Sequence, residues 1–465
     1  MIDLSIAVRN LLRNRRRSFA TFIALAVGTS SVLLFGGFSA NIEASLQTAY
    51  VRAGGHLQIQ HRDFFLFGSG NPTAYGIQDD LKIIQAIRDD ESLRADITVV
   101  TPTLQFSGIA GNYDAGVSRT VIGIGVVAAD QSRMRAWNGY QLPQTDPPFV
   151  LDGAASDAAI IGTGVARVLQ LCESLQVSSC PKRTVQAAAD GAAIPADIAA
   201  LAGAERDAAG PRGASNRPKI ELLATNSGGT PNVVSAQVLK AEVQGFKELD
   251  EVFVMLQMPQ AQRLVYGRMQ PQATSVHVQL VHSDRIDQVK KNMATVLERV
   301  APEQSLVVRD FGELNPFYVQ TIAMFGTLFG FIFVLIGVIV LFTVSNTMNT
   351  AVVERTVEIG TIRAIGLRRS GVERLFVLEG MMLGVAGAVS GALFALLVAA
   401  VINQLGLTWL PPGSGGPLPL VLLVWNDKFM LLGTPLGLSL IATLSAWWPA
   451  HRASRLGIVD ALRHV

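Results

Sequence analysis

The chain is poor in charged residues. Only 16% of its 465 residues are Asp, Glu, Lys or Arg and 49% are hydrophobic, whereas soluble domains carry about 25% charged residues. The formal net charge of +2 is too small to indicate a nucleic-acid partner. This scarcity of charge favours a membrane protein.

The sequence also lacks the short motifs of common catalytic and nucleotide-binding sites. It contains no Gly-x-x-x-x-Gly-Lys-Ser/Thr phosphate loop, no Gly-x-Ser-x-Gly turn and no His-Glu-x-x-His helix. His56 and His61 flank a predicted strand, and a surface position is favoured over a metal site for both. We therefore expect no catalytic residue, no metal and no cofactor bound by this chain.

Uncharged apolar stretches recur four times, at 19–38, 318–344, 380–402 and 429–448. A helix that crosses a hydrocarbon core of about 30 Å needs about 20 apolar residues. Arginines precede the first stretch, as in a signal peptide, but its length and the absence of a clear small-residue cleavage site favour a spanning helix. The sequence predicts a helical membrane protein with four transmembrane helices.

The arginines are distributed unevenly around these stretches. Residues 1–17 hold five of them, and the loop after the second stretch and the tail are also rich in arginine. The loop at 403–428 has one lysine and no arginine. Because short cytoplasmic loops carry the positive excess, both termini and the loop at 346–374 are predicted to be cytoplasmic.

The segments follow from this topology. They are a cytoplasmic N-terminal segment (1–17), transmembrane helices (18–40, 317–345, 375–402 and 429–448), a large external domain (41–316), a cytoplasmic loop (346–374), an external loop (403–428) and a cytoplasmic tail (449–465).

The external domain is predicted to be α+β. Alternating or β-branched residues predict strands at 56–60, 120–126, 275–281 and 306–308. Apolar spacing predicts helices at 81–93 and after Ser283, which is the expected helix cap. The stretch at 181–218 has no aromatic residue and is rich in Ala, Gly, Asp and Pro. It predicts a mobile insertion, with an Ala-rich helix as the alternative.

Only two cysteines occur, Cys172 and Cys180, and both lie in the external domain. An oxidising compartment permits a small disulfide loop between them, and two unrelated free thiols are the alternative. Their position in one short segment favours the disulfide.

The loop after the second apolar stretch has the most informative pattern. On a helix, Ile359, Ile362 and Gly366 would share one face, with Arg363 beside them. Gly360 and Gly366 would each weaken a helix by about 1 kcal/mol relative to alanine, which indicates close packing. The pattern suits either a solvated amphipathic connector or a coupling helix that docks into a cytoplasmic partner.

Glycines spaced four apart predict close contacts between membrane helices. The alternative is that glycine is simply common in such helices. The spacing occurs at Gly326 and Gly330, Gly380 and Gly384, and Gly387 and Gly391.

Residues 355–366 resemble the Arg-Thr-x-Glu-Ile-Gly-x-x-Arg-Ala-Ile-Gly signature of the FtsX-like permeases, the ABC superfamily group that includes MacB and LolC/LolE. The resemblance continues through 379–391 and in the tail at 449–463, where Ile458 replaces the family's proline. The start of the chain at 9–13 is also similar. Parts of the external domain match more loosely.

The resemblance implies an amphipathic N-terminal helix and a periplasmic lobe with a smaller second lobe inserted in it. It further implies a dimer with an identical or paralogous permease in the bacterial inner membrane, in contact with lipid. A separate cytoplasmic ATPase would hold ATP and Mg²⁺ and drive periplasmic movement by mechanotransmission. The cargo would be a lipoprotein, lipid or other amphiphile, received by a periplasmic carrier or adaptor. The resemblance puts Glu358, Arg363 and Gly366 at the ATPase contact, and helical spacing adds Ile359 and Ile362.

Three other functions compete with this interpretation. An FtsX-like subunit would relay ATPase cycles to a periplasmic hydrolase, but FtsX has a much smaller external domain. MacB-like efflux would use an adaptor and an outer-membrane channel, but MacB carries its ATPase in the same chain. A purely structural anchor would not need the coupling-loop pattern.

Overall fold

The computed structural model describes residues 2–13, 15–142, 148–177, 180, 217–226, 228–245, 247–409 and 418–458. Contacts divide the chain into a helical unit (Met1–Gln47, Asn315–Leu410 and Pro417–Val465) and an α+β unit (Thr48–Leu314 with Pro411–Gly416). The insertion predicted at 181–218 lies outside the described residues except for its last two positions, as does the tail from position 459.

The described α-helices are α1 (Ile2–Arg13), α2 (Arg15–Gly54), α3 (Phe64–Phe67), α4 (Asp80–Asp89), α5 (Ala128–Arg135), α6 (Thr163–Val168), α7 (Lys247–Asp250), α8 (Met258–Tyr266), α9 (Ile286–Val300), α10 (Phe311–Leu314), α11 (Pro316–Glu354), α12 (Thr356–Ala364), α13 (Arg369–Leu405) and α14 (Lys428–Ser454). The described strands are β1 (Leu57–His61), β2 (Ile97–Asn112), β3 (Val117–Val126), β4 (Ala158–Gly162), β5 (Lys219–Thr225), β6 (Pro231–Glu242), β7 (Phe253–Gln257), β8 (Ser275–Leu280), β9 (Leu306–Asp310), β10 (Thr408–Trp409) and β11 (Leu418–Pro419).

Four helices in the described residues are long and apolar enough to cross a membrane, namely α2, α11, α13 and α14. Each of them contains one of the predicted spans and continues beyond it. The longest, α2, has 40 residues, which at 1.5 Å per residue gives about 60 Å, twice the hydrocarbon thickness of about 30 Å. Charge patterning marks where the apolar part of a helix ends, but polar residues outside it do not stop the helix.

The α+β unit is built on one sheet, in which the described strands follow the order β3-β7-β4-β6-β5-β2-β8-β1-β9. The long strand β2 also pairs with β3, so the part from β3 to β2 closes into a barrel. Beyond the barrel, β8 and β9 both pair with β1 in antiparallel register. Since α9 connects β8 to β9, this part is a β-α-β unit with β1 between its strands.

Two of the hydrophobic cores of the α+β unit mark two lobes. The first core lies between strands β1 and β8 and helices α4 and α9. The second core, formed by residues between Leu104 and Tyr266, fills the barrel beneath α6 and α8. Residues of the first core lie on both sides of this range in the sequence, so the second lobe is inserted in the first. The inserted lobe has the larger core, so the expectation that it is the smaller lobe is wrong.

Most of the predicted elements of this unit are confirmed, with ends shifted by a few residues. The strand predicted at 56–60 is β1, and the helix predicted at 81–93 is α4. The apolar residues that predict α9 lie on its buried face, Val289, Met293, Val296 and Leu297. The cap assigned to Ser283 is wrong, because α9 begins after Arg285 without a side-chain cap. The Ser283 hydroxyl instead lies 3.0 Å from His56 Nε2.

Candidate functional site

The arginine-rich elements of the helical unit meet at one end of the helix bundle. There α1, α12 and the segment after α14 lie together, since Arg13 pairs with Glu358 at 2.7 Å and Arg363 Nη1 donates a hydrogen bond to the Leu456 carbonyl oxygen. We call this region the basic end. It contains the loop that the sequence analysis singled out.

The short helix α12 is separated from α11 by one non-helical residue, Arg355. Thr356 Oγ1 donates to the carbonyl oxygens of Val352 and Val353, at 3.1 and 2.9 Å, and so ties the start of α12 to the end of α11. Gly366 follows α12 with a φ of +113°, a backbone conformation that side chains rarely adopt. Its role is therefore to end α12 and turn the chain toward α13.

A buried ion pair joins three elements at the basic end. Arg355 Nη1 donates to the Glu379 carboxylate oxygens at 3.0 and 3.3 Å, and its Nη2 donates to the Asn10 carbonyl oxygen at 3.1 Å. The Asn10 side chain donates to the same carboxylate at 2.6 Å. Only 8% of the Arg355 side chain and 2% of the Glu379 side chain are exposed. The pair holds α1 and the α11–α12 junction on α13.

The two isoleucines of the predicted docking face have different surroundings. Ile359 is 5% exposed and belongs to the core of the helix bundle, whereas Ile362 is 44% exposed. The buried stripe of α12 is centred between Thr356, Ile359 and Gly360. At about 100° per residue, Ile362 lies roughly a third of a turn away from that centre. The prediction that both isoleucines face a partner is therefore wrong for Ile359.

The polar residues of the predicted coupling set also have partners within the chain. Glu358 pairs with Arg13, and both side chains are about half exposed, at 51% and 55%. Such a pair contributes little to stability, on the order of 0–1 kcal/mol. Arg363 reaches the carbonyl oxygen of Leu456, so it connects α12 to the segment after α14.

An apolar face of this region remains uncovered. Sequence reasoning missed its other members, because the residues exposed on it alternate with polar ones. They are Val357 (45% exposed), Ile365 (82%) and Leu367 (41%), beside Ile362. We call these four residues the α12 face.

Glycines in α13 pack against two neighbouring helices. A Cβ atom on Gly384 would lie 2.9 Å from Ala442 Cβ of α14, and one on Gly387 would lie 2.5 Å from Leu25 Cβ of α2. Gly380 approaches Ala446 and Gly391 approaches the Ala26 carbonyl oxygen just as closely. The backbones of α13, α14 and α2 therefore approach each other at positions where no larger side chain fits.

Gly326 and Gly330 of α11 do not behave in this way. No atom of the described residues lies within 4 Å of a Cβ atom built on either. The close helix contact predicted for them is therefore not made within the described part of one chain, since the spacing of glycines does not say which helix face a neighbour covers.

Cys172 and Cys180 form a disulfide, with a Cα–Cα distance of 6.0 Å. The segment follows α6 on the inserted lobe, where the Val177 amide donates to the Cys172 carbonyl oxygen at 2.9 Å. The disulfide closes a short loop after this helix.

Two histidines of the α+β unit are buried: His56 lies just before β1, and His277 lies on β8. His56 is not exposed at all and accepts a hydrogen bond from the Leu280 amide at 3.0 Å, so its predicted surface position is wrong. His277 is 9% exposed, between the hydroxyls of Thr103 at 3.3 Å and Ser275 at 3.1 Å. Burial lowers the pKa of each to about 4. No group of three or more His, Cys, Asp or Glu in the described residues is arranged to hold a metal ion.

Comparison with known proteins gives the family of the chain. Residues 327–458 match the family described as FtsX-like permease C-terminal, which covers α12, α13, α14 and most of α11. The macrolide export ATP-binding/permease protein MacB of Escherichia coli (strain K12) is 35% identical over 143 residues. The C-terminal part of the chain carries an FtsX-like permease domain, and the relatives that it matches are ABC transporter permeases. The resemblance seen at 355–366 is thus confirmed.

These relatives are matched over part of their length. The MacB match covers 31% of this chain and 20% of MacB. An uncharacterised ABC transporter permease of Methanocaldococcus jannaschii is 28% identical over 120 residues, 26% of this chain and 28% of that permease. The matched segment thus spans about a fifth to just over a quarter of these relatives.

Two solved structures resemble part of the permease. The periplasmic region of MacB from Actinobacillus actinomycetemcomitans aligns with 57% of this chain and 94% of its own, at 10% identity and a TM-score of 0.31. The extracellular domain of the ABC-type transporter YknZ aligns with 55% of this chain and 99% of its own, at 14% identity and a TM-score of 0.28. Scores this low do not establish a shared fold.

Proposed function

We propose that this permease is the membrane subunit of an ABC transporter of the MacB/LolCDE type, driven by a separate cytoplasmic ATPase. It would lie in the bacterial inner membrane as a dimer with an identical or paralogous permease, with the α+β unit in the periplasm. ATP and Mg²⁺ would bind to the ATPase and not to this chain. The cargo would be a lipoprotein, lipid or other amphiphile.

The observation that carries this proposal is the α12 face. A helix that only connected two membrane spans would not need four exposed apolar side chains next to Ile359, whose side chain is buried in the core of the bundle. Exposed apolar groups clustered on one surface mark an interaction site, and such groups at the centre of an interface contribute most of its binding energy. The basic end is cytoplasmic by the positive-inside rule, so the partner would be a cytoplasmic protein.

The anchoring of α12 supports a role in transmitting force. Its Ile359 side chain is embedded in the bundle, and Arg363 connects it to the residues after α14. At its start, Arg355 links the junction with α11 to Glu379 of α13. A displacement of α12 by a bound ATPase would therefore move α11, α13 and α14 together instead of bending a loose loop.

The role of each predicted coupling residue is refined by these contacts. We assign Ile362 to direct contact with the ATPase, together with Val357 and Ile365. At about 100° per residue, Glu358 lies between Ile365 and Ile362 on the same face and adds a charge to it. Ile359, Arg363 and Gly366 would position the helix without touching the ATPase.

The test compares two substitutions in the full-length permease produced with its ATPase. Ile362→Asp puts a charge on the α12 face, and Ser370→Asp puts one at an exposed position outside it. We expect Ile362→Asp to leave the permease folded and inserted and to reduce co-purification of the ATPase at least tenfold, since truncating an interface anchor costs about 2 kcal/mol or more. The control should retain the ATPase. Equal recovery with both variants would contradict the proposal.

A further inference from the structure

The strand β9 forms one end of the sheet in the α+β unit. Among the described strands it pairs with β1 alone, in antiparallel register. The Phe311 amide donates to the His56 carbonyl oxygen at 3.0 Å at the end of this pairing. Because hydrogen-bonded positions alternate along an antiparallel pair, Val307 and Arg309 also direct their backbone groups to β1. The amide and carbonyl of Val308 therefore point to the open edge of the sheet, where no described residue bonds to them.

The side chain of Arg309 is a half-buried cation at this edge. Its guanidinium group lies over the Phe65 ring, 5.4 Å from the ring centroid, and its Nε is buried without a hydrogen bond. The nearby carboxylates of Asp310 and Glu313 both accept from Lys290 at 2.8 Å. Arg309 thus forms no ion pair with a described residue, although burying a charge without an opposite charge costs free energy.

The helix α3 adds an exposed apolar cluster beside this arginine. Phe65 is 39% exposed, Leu66 67% and Phe67 63%. Large apolar side chains clustered on a surface mark an interaction site. Because the Phe65 ring covers the Arg309 guanidinium group, the cluster lies over β9, on the face of the sheet to which Arg309 points.

We propose that the edge of β9 binds an extended, acidic segment of a periplasmic protein as an additional strand. The backbone of that segment bonds to Val308, one of its carboxylates pairs with Arg309, and an apolar side chain on the same face packs on α3. Main-chain bonds supply affinity in such strand addition, and side-chain contacts supply selectivity. The location of the partner rests on the topology proposed above, but the binding itself does not need the ATPase.

Charge favours such a segment over a second copy of the chain. A two-fold pairing of β9 with itself, centred on Val308, would place the two Arg309 side chains diagonally on one face, where like charges repel. On that face β9 offers only Val307 beside Arg309, so it brings no carboxylate. A lipid would supply the negative charge, but it has no row of donors and acceptors to match the backbone of a strand.

The test measures binding of a synthetic peptide to the purified full-length permease by fluorescence anisotropy. The acidic probe is fluorescein-labelled Thr-Val-Glu-Val-Phe-Val-Glu-Val-Thr, and its matched control has lysine in place of both glutamates. We expect the acidic peptide to bind at least about tenfold more tightly than the basic one. Arg309→Met should weaken binding of the acidic peptide about tenfold or more, the effect of a lost charge-assisted hydrogen bond. Arg268→Met, at an exposed arginine of the inserted lobe, should leave it unchanged.

A second variant tests the backbone contact. Val308→Pro removes the N–H that points to the open edge, whereas the bonds from Val307 and Arg309 to β1 remain, and proline is tolerated at such an edge position. The affinity for the acidic peptide should fall about two- to tenfold, the effect of one hydrogen bond. Equal melting temperatures of Val308→Pro, Arg309→Met and the wild type exclude misfolding as the cause.

Several results would overturn the proposal. Neither peptide binds, both bind equally, or Arg309→Met and Arg268→Met retain the same affinity. Displacement of the acidic peptide by oleate would assign the aromatic cluster to an acyl chain instead. A lower oligomeric mass of Val308→Pro without peptide would assign the edge to a second copy of the chain. Failure of ATPase co-purification in the earlier test would leave these measurements unaffected.

Discussion

The buried pair of Arg355 and Glu379 is expected to be the most sensitive polar feature of the helix bundle. In the variant Arg355→Met, the Glu379 carboxylate loses both of its hydrogen bonds from the guanidinium group. Among the described residues it keeps only the hydrogen bond from Asn10, although its side chain is 2% exposed. The Asn10 carbonyl oxygen also loses its donor. Removing one partner of such a pair costs about 3–5 kcal/mol, because the remaining charge is buried without compensation.

A second substitution separates this effect from simple loss of packing. The double variant Arg355→Met with Glu379→Leu has no buried charge, and replacing a whole buried pair by apolar residues is often neutral. It should therefore be more stable than Arg355→Met alone. Arg369→Met, at an exposed arginine near the start of α13, is the matched control and should change stability by less than about 0.5 kcal/mol.

The assay is unfolding of the full-length permease in mild detergent by a rising fraction of sodium dodecyl sulfate. The free energies of unfolding of the wild type, of Arg355→Met, of Glu379→Leu and of the double variant form a double-mutant cycle. We expect a coupling energy of at least about 2 kcal/mol. A loss below about 0.5 kcal/mol for Arg355→Met, or additive losses in the double variant, would refute the reasoning.

Three further predictions concern packing, pH and topology. Gly391→Leu should destabilise the bundle by about 1–3 kcal/mol or more, because its Cβ would meet the backbone of α2. Gly330→Leu should leave the free energy of unfolding of a single chain unchanged, because no described atom lies near its Cβ. His56 and His277 have folded pKa values of about 4 against about 6.5 unfolded, so stability should fall as the pH drops from about 6.5 toward 4. At about pH 5 the free energy of unfolding should be lower by about 2 kcal/mol for each histidine. Equal urea midpoints at pH 7 and pH 5 would contradict this, as would an unchanged pH dependence in the double variant His56→Gln with His277→Gln. A cysteine at Tyr113, which is 90% exposed, should react with an impermeant reagent in intact cells if the α+β unit is periplasmic, and lack of labelling would reverse the topology.

The predictions that depend on local pattern correspond closely to the structure. Long uncharged stretches lie within α2, α11, α13 and α14 because the length of an apolar helix segment is a property of consecutive residues. The face of α9 follows from residues at helical spacing for the same reason. The signature at 355–366 identified the family because its residues are contiguous, and the family match covers the same region.

Several features of the site could not be read from the sequence. Spacing predicted one docking face for Ile359 and Ile362, but which side of α12 is buried depends on α11, α13 and α14 around it. The partners of Glu379, at positions 10 and 355, are distant in the chain. His56 looked like a surface residue, and only the packing of the sheet buries it.

The sequence by itself therefore determined the class of protein, the number and position of its apolar helices and the family that its C-terminal part matches, since each of these follows from residues close together in the chain. The tertiary structure alone decided which glycines meet another helix, as at Gly391 but not at Gly330. It also decided which side of α12 is exposed. These depend on contacts between distant segments, and a single sequence does not specify which of several compatible faces a neighbouring helix covers.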